Sequence, residues 1–197
     1  MKRDEVVHQQ ILEAAKGLIQ RYGLGKTTME DIAKACGKGK STLYYYFKGK
    51  DEIFDAVIRD DMQVLFSTVQ QAVFDALGTE AKLKAYMVTK YQTLKKLVNL
   101  YRFTLEHESP LLNIHDQFQH LSDRYDHQEI ELLTSILQGG IDDGLFDAAY
   151  QEELGMLAEL CLSSIRGVEL NLILKGRHGD LESKADLLVS IMVKGMA

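Results

Sequence analysis

The chain has 197 residues, of which 46% are hydrophobic and 26% are charged, and its formal net charge is −6. This length allows one domain, or a small domain fused to a larger one, with enough apolar side chains for a sizeable core. The sequence has no apolar run long enough to span a membrane and no apolar signal segment in MKRDEVVHQQ, so we expect a cytoplasmic protein.

Charge is distributed unevenly along the chain. Residues 1–50 carry ten Lys and Arg against five Asp and Glu, whereas residues 51–197 carry 13 against 24. An acidic protein binds nucleic acid poorly in a nonspecific way, but a local basic surface can still dock on it. A solvated basic face explains the excess equally well, so the positions of the basic residues must decide between the two.

Helical periodicity dominates the sequence. A single proline, Pro110, and the lack of long β-branched alternation predict an all-α chain. The first helix is predicted over residues 4–22, where apolar residues recur at spacings of three and four, and Gly23 ends it. Cys36 and Cys161 lie in apolar helical patterns, so we interpret them as small core residues rather than redox or metal-binding groups.

Residues 27–50, TTMEDIAKACGKGKSTLYYYFKGK, have the pattern of two short helices with a tight turn between them. Thr27 and Glu30 have the spacing of a capping box, which satisfies the free N–H groups at a helix start. Gly37 can adopt the left-handed conformation that ends the first helix. A second helix is predicted over residues 40–46.

The second helix of this pair has two different faces. Leu43 and Phe47 lie four residues apart on the inner, apolar face. The outer face is basic, hydroxylic and aromatic, and it carries Lys40, Thr42, Tyr45 and Tyr46. A short helix, a glycine turn and a second helix with such an exposed face are typical of a helix-turn-helix that reads DNA.

The rest of the chain is predicted to be helical with short interruptions. The predicted helices cover residues 50–77, 80–106, 116–143, 150–175 and 180–195. Gly144 is the predicted stop of the third of these, and a short helix or turn is expected after Pro110.

The last two predicted helices carry more apolar residues than one side of a monomeric body can cover. Residues 150–175 are apolar almost all round, so we expect burial on most sides of that helix. We therefore predict a homodimer through residues about 150–195, with two helices from each chain in one bundle. The alternative is that both helices belong to an internal core.

Several fixed spacings within residues 5–54 resemble those of the TetR family of bacterial repressors. The matching runs are Ile11-Leu12-x-Ala14-Ala15, Leu18-Ile19-x-x-Tyr22-Gly23, Thr27-Thr28-x-x-x-Ile32-Ala33-x-x-x-Gly37 and Thr42-Leu43-Tyr44-x-Tyr46-Phe47-x-x-Lys50. Beyond residue 60 the likeness is one of architecture, and the run Gly140-Ile141-Asp142-Asp143-Gly144 looks like a common feature of effector domains in this family.

The resemblance implies a homodimeric regulator of about nine helices. A small molecule would lower or alter the affinity of this regulator for DNA. Residues 1–50 would form the helix-turn-helix DNA-binding domain, and residues 51–197 the helical effector-binding and dimerisation domain. Two positions depart from the family pattern. Lys38 stands where an apolar residue is usual, and Gly39 replaces the usual Ser or Thr cap, at a cost of roughly a few tenths of a kcal/mol.

In such a motif the N-terminal residues of the second helix meet base edges in the major groove. We therefore expect base contacts from Lys40, Ser41, Thr42 and Tyr45. Phosphate contacts are expected from Thr28, Tyr44, Tyr46, Lys48 and Lys50, by resemblance and because hydroxyl and ammonium groups suit that role, while Lys38 adds positive charge beside the groove.

Simpler interpretations of these residues remain open. Tyr44 could be partly core, because it neighbours Leu43 and Phe47, and Lys48 and Lys50 could be ordinary solvated lysines. One copy of the motif reads too few base pairs to be specific, so a dimer on a palindromic operator is expected.

The effector region is less clearly marked. The candidate lining residues are Tyr91, Tyr101, Phe103, His107, Phe118, Tyr125, Ile136, Met156 and Arg166. Each could equally be core, but together they suggest a largely apolar small molecule with one or two polar anchors. Arg166 is unusual in an apolar helix: it is either paired with an acid or the anchor for an anionic ligand group.

One stripe of a predicted helix has metal-ligand spacing. Asp116, His120, Asp123 and His127 follow one another at intervals of three and four, with His115 adjacent. Phe118, Leu121 and Tyr125 occupy other sides of this helix, which favours a solvent-exposed stripe of His/Asp pairs. We therefore assign no metal and no cofactor.

Three classes of function compete. The sequence has no glycine-rich phosphate loop, no nucleophile motif and no strong metal signature, so we do not expect an enzyme. A helical-bundle interaction protein without sequence-specific DNA binding would leave the exposed face of residues 40–46 unexplained. We therefore expect a ligand-responsive regulator, a repressor by the default of the family, with an activator of the same DNA-binding mode as the alternative.

Overall fold

The computed structural model describes residues 3–101, 114–174 and 181–197, and for residues 3, 114–124, 170–174, 182 and 183 it describes the backbone alone. These residues form eight α-helices and one 3-10 helix, and no β-strand occurs among them. The helices are α1 (Arg3–Tyr22), α2 (Met29–Ala35), α3 (Lys40–Tyr46), α4 (Lys50–Asp75), α5 (Thr79–Leu100), α6 (Ile114–Asp142), the 3-10 helix Ala148–Glu153, α7 (Leu154–Leu174) and α8 (Leu181–Met196). The all-α fold predicted from periodicity is therefore confirmed.

Helix starts and stops follow the local signals in most places. Gly144, the predicted stop of α6, has a φ of +69°, a conformation that favours glycine. The predicted helix 150–175 instead begins with a turn of 3-10 helix, because Asp147 accepts a hydrogen bond from the Ala149 N–H at 2.9 Å and starts it early. The segment after Pro110 lies outside the described residues.

The chain divides into two compact units. One contains Met1–Val64 and Leu97–Leu121, and the other contains Leu65–Lys96 and Ser122–Ala197. Helices α4, α5 and α6 each contribute residues to both units. The division into domains 1–50 and 51–197 is not tested by this grouping and stays a prediction.

In the first unit, α1 packs on α2, and α2 packs on α3. The side chains that are fully buried there come from all of the early helices and include Ile11, Ala15, Ile19, Ile32, Leu43 and Ile53. Two short helices cannot bury their own apolar faces, so α1 supplies the cover that they lack.

A buried carboxylate ties distant parts of the first unit together. Asp61 of α4 accepts a hydrogen bond from the Tyr101 hydroxyl at 2.6 Å and forms an ion pair with Lys16 of α1. The ring of Phe54 meets the Tyr101 ring edge-on, with centroids 5.9 Å apart. A buried charge without partners is costly, so both partners matter for the position of α1 on α4.

In the second unit, the buried side chains of residues 154–169 in α7 lie along one face. Leu154, Ala158, Leu162 and Ile165 are buried, whereas Met156 and Leu160 are more than half exposed. Burial on most sides of this helix, which the apolar composition predicts together with a dimer, stays a prediction. None of the described helices has the length and hydropathy that a membrane span requires.

Candidate nucleic-acid interface and the Lys90 cluster

Helix α2 is capped by Thr28 and not by Thr27. The Thr28 hydroxyl accepts a hydrogen bond from the Asp31 N–H at 3.1 Å, and the Asp31 carboxylate accepts one from the Thr28 N–H at 3.1 Å. The predicted capping box of Thr27 and Glu30 is therefore wrong by one residue. The reason is that Thr27 is buried and its hydroxyl donates to the Gly23 carbonyl at 2.7 Å.

The turn between α2 and α3 depends on one glycine. Gly37 has a φ of +66°, so the chain can reverse there without steric strain. The Lys38 N–H donates to the Ala33 carbonyl at 2.9 Å, which closes the end of α2. Gly39 begins α3 in an extended conformation and offers no side-chain cap. Lys38 and Gly39, the two departures from the family pattern, are both accommodated in a regular helix-turn-helix.

Helix α3 has the two faces that its sequence predicts. Leu43 and Phe47 are buried, while Tyr45 is 77% exposed. Tyr44 is 50% exposed, which is compatible with the interpretation that it is partly core. The arrangement leaves two neighbouring tyrosine hydroxyls free of the core.

Helix α1 holds the end of α3 through contacts that sequence reasoning missed. The Tyr46 hydroxyl donates to Asp4 at 3.0 Å, and the ring of His8 lies 4.9 Å from the ring of Phe47. Asp4 and Tyr46 are 42 residues apart in sequence, and no local pattern links them. Tyr46 therefore has a structural contact in addition to the phosphate contact predicted for it.

None of the ten predicted DNA-contacting residues is buried. Thr28, Lys40, Ser41, Tyr44, Tyr45 and Lys48 are exposed, and Lys38, Thr42, Tyr46 and Lys50 are partly exposed. All ten lie at the N-cap of α2, in the turn between α2 and α3, on α3, or from the segment after α3 to the first residue of α4. The structure thus places them on neighbouring elements of one unit.

Two lysines of this surface already have protein partners. The Lys50 ammonium group donates to the carbonyls of Leu24 at 2.9 Å and Gly25 at 3.2 Å, so it is not an ordinary solvated lysine. The Lys40 ammonium lies 3.7 Å from the carboxylate of Glu30 on α2, in an exposed ion pair. Exposed pairs of this kind are weak, so Lys40 can exchange Glu30 for another partner at little cost.

The predicted effector-lining residues are divided between the two units, and some lie outside the described residues. Tyr101 falls in the first unit, bound to Asp61. In the second unit, Tyr91, Tyr125 and Ile136 are buried, whereas Met156 is exposed. Phe103, His107 and the side chain of Phe118 lie outside what the structure describes, so their role stays a prediction.

Charged side chains gather inside the second unit, on three helices. We call this group the Lys90 cluster, and its members are Tyr86, Lys90, Asp126, Glu129, Arg166 and Glu169. The Lys90 ammonium lies 2.7 Å from Glu129 and 3.5 Å from Glu169 and donates to the Tyr86 hydroxyl at 3.3 Å. The Tyr86 hydroxyl in turn donates to Glu129 at 3.1 Å.

Arg166 joins this cluster through two carboxylates. Its guanidinium donates to Glu129 at 2.7 Å and to Asp126. Burial lowers the pKa of Arg166, but the hydrogen bonds to the two acids outweigh it and leave the pKa above its ordinary value. Of the two interpretations of Arg166, the pairing with an acid is therefore the one observed. Desolvation raises the pKa of Glu169, and the nearby Lys90 offsets this only in part.

The proposed metal stripe is only partly described. The side chains of Asp116, His120 and Asp123 fall outside the described set, and His127 is exposed and lies 3.4 Å from Glu131. Among the described residues no group of three potential ligands could hold a metal ion.

A helix-turn-helix covered by a third helix, with a basic and aromatic second helix facing solvent, defines a DNA-binding transcriptional regulator. A family model described as bacterial regulatory proteins, tetR family, matches residues 11–57. Residues 11–57 therefore form a DNA-binding domain of the TetR family.

Related proteins match over nearly the whole chain. The HTH-type transcriptional repressor KstR2 of Rhodococcus jostii is 27% identical over 191 residues, which cover 95% of this chain and 90% of that protein. A solved crystal structure, that of a transcriptional regulator from Cytophaga hutchinsonii, superposes on this chain with a TM-score of 0.66 and a sequence identity of 27%. The match covers 95% of this chain and 97% of the C. hutchinsonii chain.

A third similar protein is evidence for the fold alone, because its sequence is only 20% identical to this chain. It is the structure of the transcriptional regulator FadR from Bacillus subtilis in complex with stearoyl-CoA, with a TM-score of 0.63 and coverage of 96% of this chain and 99% of that one. The family and these relatives are transcription regulators.

Proposed function

We propose that this regulator is a repressor that binds a palindromic operator as a homodimer and leaves it when a small-molecule effector binds. The observation that carries the proposal is the exposed face of α3, where Tyr45 and Lys40 stand free of the core. A relative named as a repressor, KstR2, supports repression over activation. Acting on DNA, the protein would work in the cytoplasm, and no catalytic role is part of the proposal.

In this proposal Lys40, Ser41, Thr42 and Tyr45 touch base edges, because they occupy the start and the exposed face of α3. Thr28, Tyr44, Tyr46 and Lys48 touch phosphates, and Lys38 adds charge at the groove. Lys50 would act mainly by fixing the loop at Leu24 and Gly25 and would present its remaining charge to the backbone of the operator.

The homodimer would form through exposed apolar stripes on α7 and α8. Met156 and Leu160 are four residues apart on α7, and Leu187 and Ile191 are four apart on α8, and all four are exposed in the single chain. Ser163, Ser164 and Gly167 are exposed on α7 as well, and such small residues let another helix approach closely. An apolar surface of this kind is typical of a subunit interface.

The effector would be a largely apolar small molecule that binds in the helical region of residues 51–197, while residues 1–50 form the DNA-binding domain. Tyr91, Tyr125 and Ile136 support an apolar lining because they are buried in the second unit. The B. subtilis FadR structure, which contains stearoyl-CoA, is an example of a protein with this fold that holds a long apolar chain.

The decisive experiment is selection of operator DNA from a random library, followed by binding measurements with variants. Lys40→Ala and Tyr45→Ala should each weaken operator binding by about 1–3 kcal/mol, because each removes a base contact. Lys96→Ala and Tyr150→Ala, which change the same residue types on α5 and the 3-10 helix, should leave binding unchanged.

Three results would contradict the proposal. Recovery of no DNA from the library would favour an interaction protein. Single, unpaired half-sites would contradict the dimeric mode of reading. Equal losses in the α3 variants and in the two control variants would show that the exposed face of α3 is not the reading surface.

A further inference from the structure

Within the Lys90 cluster, Glu169 has a fully buried side-chain oxygen that lacks a hydrogen-bond partner among the described residues. Its side chain is 3% exposed, and its Oε1 atom has no hydrogen-bond partner among the described residues. Its other oxygen lies 3.5 Å from the Lys90 ammonium. A buried carboxylate oxygen without a donor is costly, so such an atom in a native protein points to a group that binds there.

The hydrogen bonds within the cluster are made to other oxygens and leave Glu169 Oε1 without one. The three N–H groups of Lys90 are directed to Glu129, Glu169 Oε2 and Tyr86, and the Tyr86 hydroxyl is used by Glu129. The Arg166 guanidinium is bound to Asp126 and Glu129. Oε1 is therefore an acceptor that a bound molecule can use.

The charges of the cluster do not balance. Lys90 and Arg166 face three carboxylates, those of Asp126, Glu129 and Glu169. When all five groups are ionised, one negative charge in a largely buried site is left without a counter-charge from the side chains that the structure describes. A neutral hydroxyl group would satisfy only the missing donor, whereas an ammonium group would satisfy both the donor and the charge.

Apolar side chains surround the cluster along the same helices. Met87 and Leu83 precede Lys90 on α5, Leu133 follows Glu129 on α6, and Ile165 and Leu162 precede Glu169 on α7, all at helical spacing and all buried. At the other side of the cluster, Arg166 and Asp126 are partly exposed. These side chains would offer apolar contacts to the body of a molecule whose charged end meets the cluster.

We propose that the Lys90 cluster is the polar end of the effector site and binds a protonated primary amine carried by an apolar molecule, with Glu169 Oε1 accepting a hydrogen bond from the ammonium group. This inference rests on the proposed function, because it takes the helical region to be where the effector binds. In this inference Glu169 selects the charge of the ligand. Arg166 does not contact the ligand directly.

The test is calorimetric binding of four probes to the full chain, all below the concentrations at which they form micelles: decylamine, decyltrimethylammonium, decanol and decanoate. Decylamine should bind at least tenfold more tightly than the other three. The quaternary ammonium has the charge without N–H donors, the alcohol has the donor without the charge, and the carboxylate repeats the charge of the site.

Glu169→Gln should weaken decylamine binding at least tenfold, which corresponds to about 1.4 kcal/mol, because the charge and one acceptor oxygen are lost. Glu131→Gln makes the same change at an exposed position of α6 and should have no effect. Circular dichroism reports whether Glu169→Gln folds. If it does not fold, the comparison of the four probes on the natural chain decides the question.

Absence of decylamine binding, equal binding by Glu169→Gln, or equally tight binding of any of the other three probes would overturn the inference. The selected operator provides a separate readout. Failure to recover an operator would contradict the regulator proposal and leave amine selectivity intact. Loss of amine selectivity would contradict this inference and leave DNA reading by α3 intact.

Discussion

Gly140 shows how one residue can define the end of a long helix. Its carbonyl accepts hydrogen bonds from the N–H groups of Leu145 at 2.8 Å and Phe146 at 3.0 Å, so the chain after α6 folds back on it. The ring of Phe146 is buried, and a Cβ atom at position 140 would lie 2.3 Å from it. A ring of this size has no room to move away within a packed core.

We predict that Gly140→Ala lowers the free energy of unfolding by about 1–3 kcal/mol, because the added methyl group overpacks the contact with Phe146. Gly139→Ala is the matched control, since its Cβ atom would lie 3.8 Å from the Thr79 hydroxyl, an ordinary contact. The control should be neutral or stabilise by up to about 1 kcal/mol through helix propensity. Urea denaturation of both variants measures the difference, and equal effects would refute the steric explanation.

At the scale of elements, the two helices of the reading motif begin in different ways. Helix α2 has a reciprocal cap made by Thr28 and Asp31, whereas α3 begins at Gly39 without any side-chain cap. The side-chain hydrogen bond with Thr28 lowers the pKa of Asp31. The contribution of the Asp31 carboxylate is therefore complete above the unfolded pKa of about 3.9 and is lost as the pH falls through the lower folded value.

Changes at the two caps should have opposite effects on stability. Thr28→Ala should lower the free energy of unfolding by about 1 kcal/mol, since it removes the acceptor for the Asp31 N–H. Gly39→Ser should raise it by roughly a few tenths of a kcal/mol, because a serine can cap α3 from the extended conformation that Gly39 already has. Thermal unfolding of each variant checks both signs, and a stabilising Thr28→Ala would disprove the role of the cap.

For the whole molecule, the proposed dimer explains why apolar residues are exposed on α7 and α8. Alternating burial along α7 leaves Leu160 outside the core of the single chain, and α8 leaves Ile191 outside in the same way. Without a partner these side chains would remain in water at a cost of about 25 cal/mol for each Å² of apolar surface. A second copy offers the same surfaces and can cover them symmetrically.

The double variant Leu160→Glu/Ile191→Glu should be monomeric by sedimentation velocity, because it places charges in the proposed interface. It should also bind the operator at least tenfold more weakly, since a monomer reads one half-site only. Leu77→Glu is the control: this leucine is 90% exposed but lies in the turn between α4 and α5. A double variant that remains dimeric would place the interface elsewhere.

The sequence by itself determined the helices, the helix-turn-helix and the faces of α3. These features depend on interactions within a few residues: the 3.6-residue period, the stop at Gly144, and the spacing that buries Leu43 and Phe47 together. The N-cap of α2 was ambiguous in the sequence, because Thr27 and Thr28 are adjacent and either could cap the helix. The hydrogen bond from the Thr27 hydroxyl to the Gly23 carbonyl, which removes Thr27 as a cap, forms only once the loop has folded.

The tertiary structure alone decided which charges meet. Arg166 lies 37 residues from Glu129 in sequence, and Lys50 lies 26 residues from the Leu24 carbonyl that it holds. The helical period places each such residue on a face of its own helix, but the pairing depends on which faces pack together. The buried state of Glu169, and with it the missing donor at its oxygen, exists only because three helices bring their charged residues to one place.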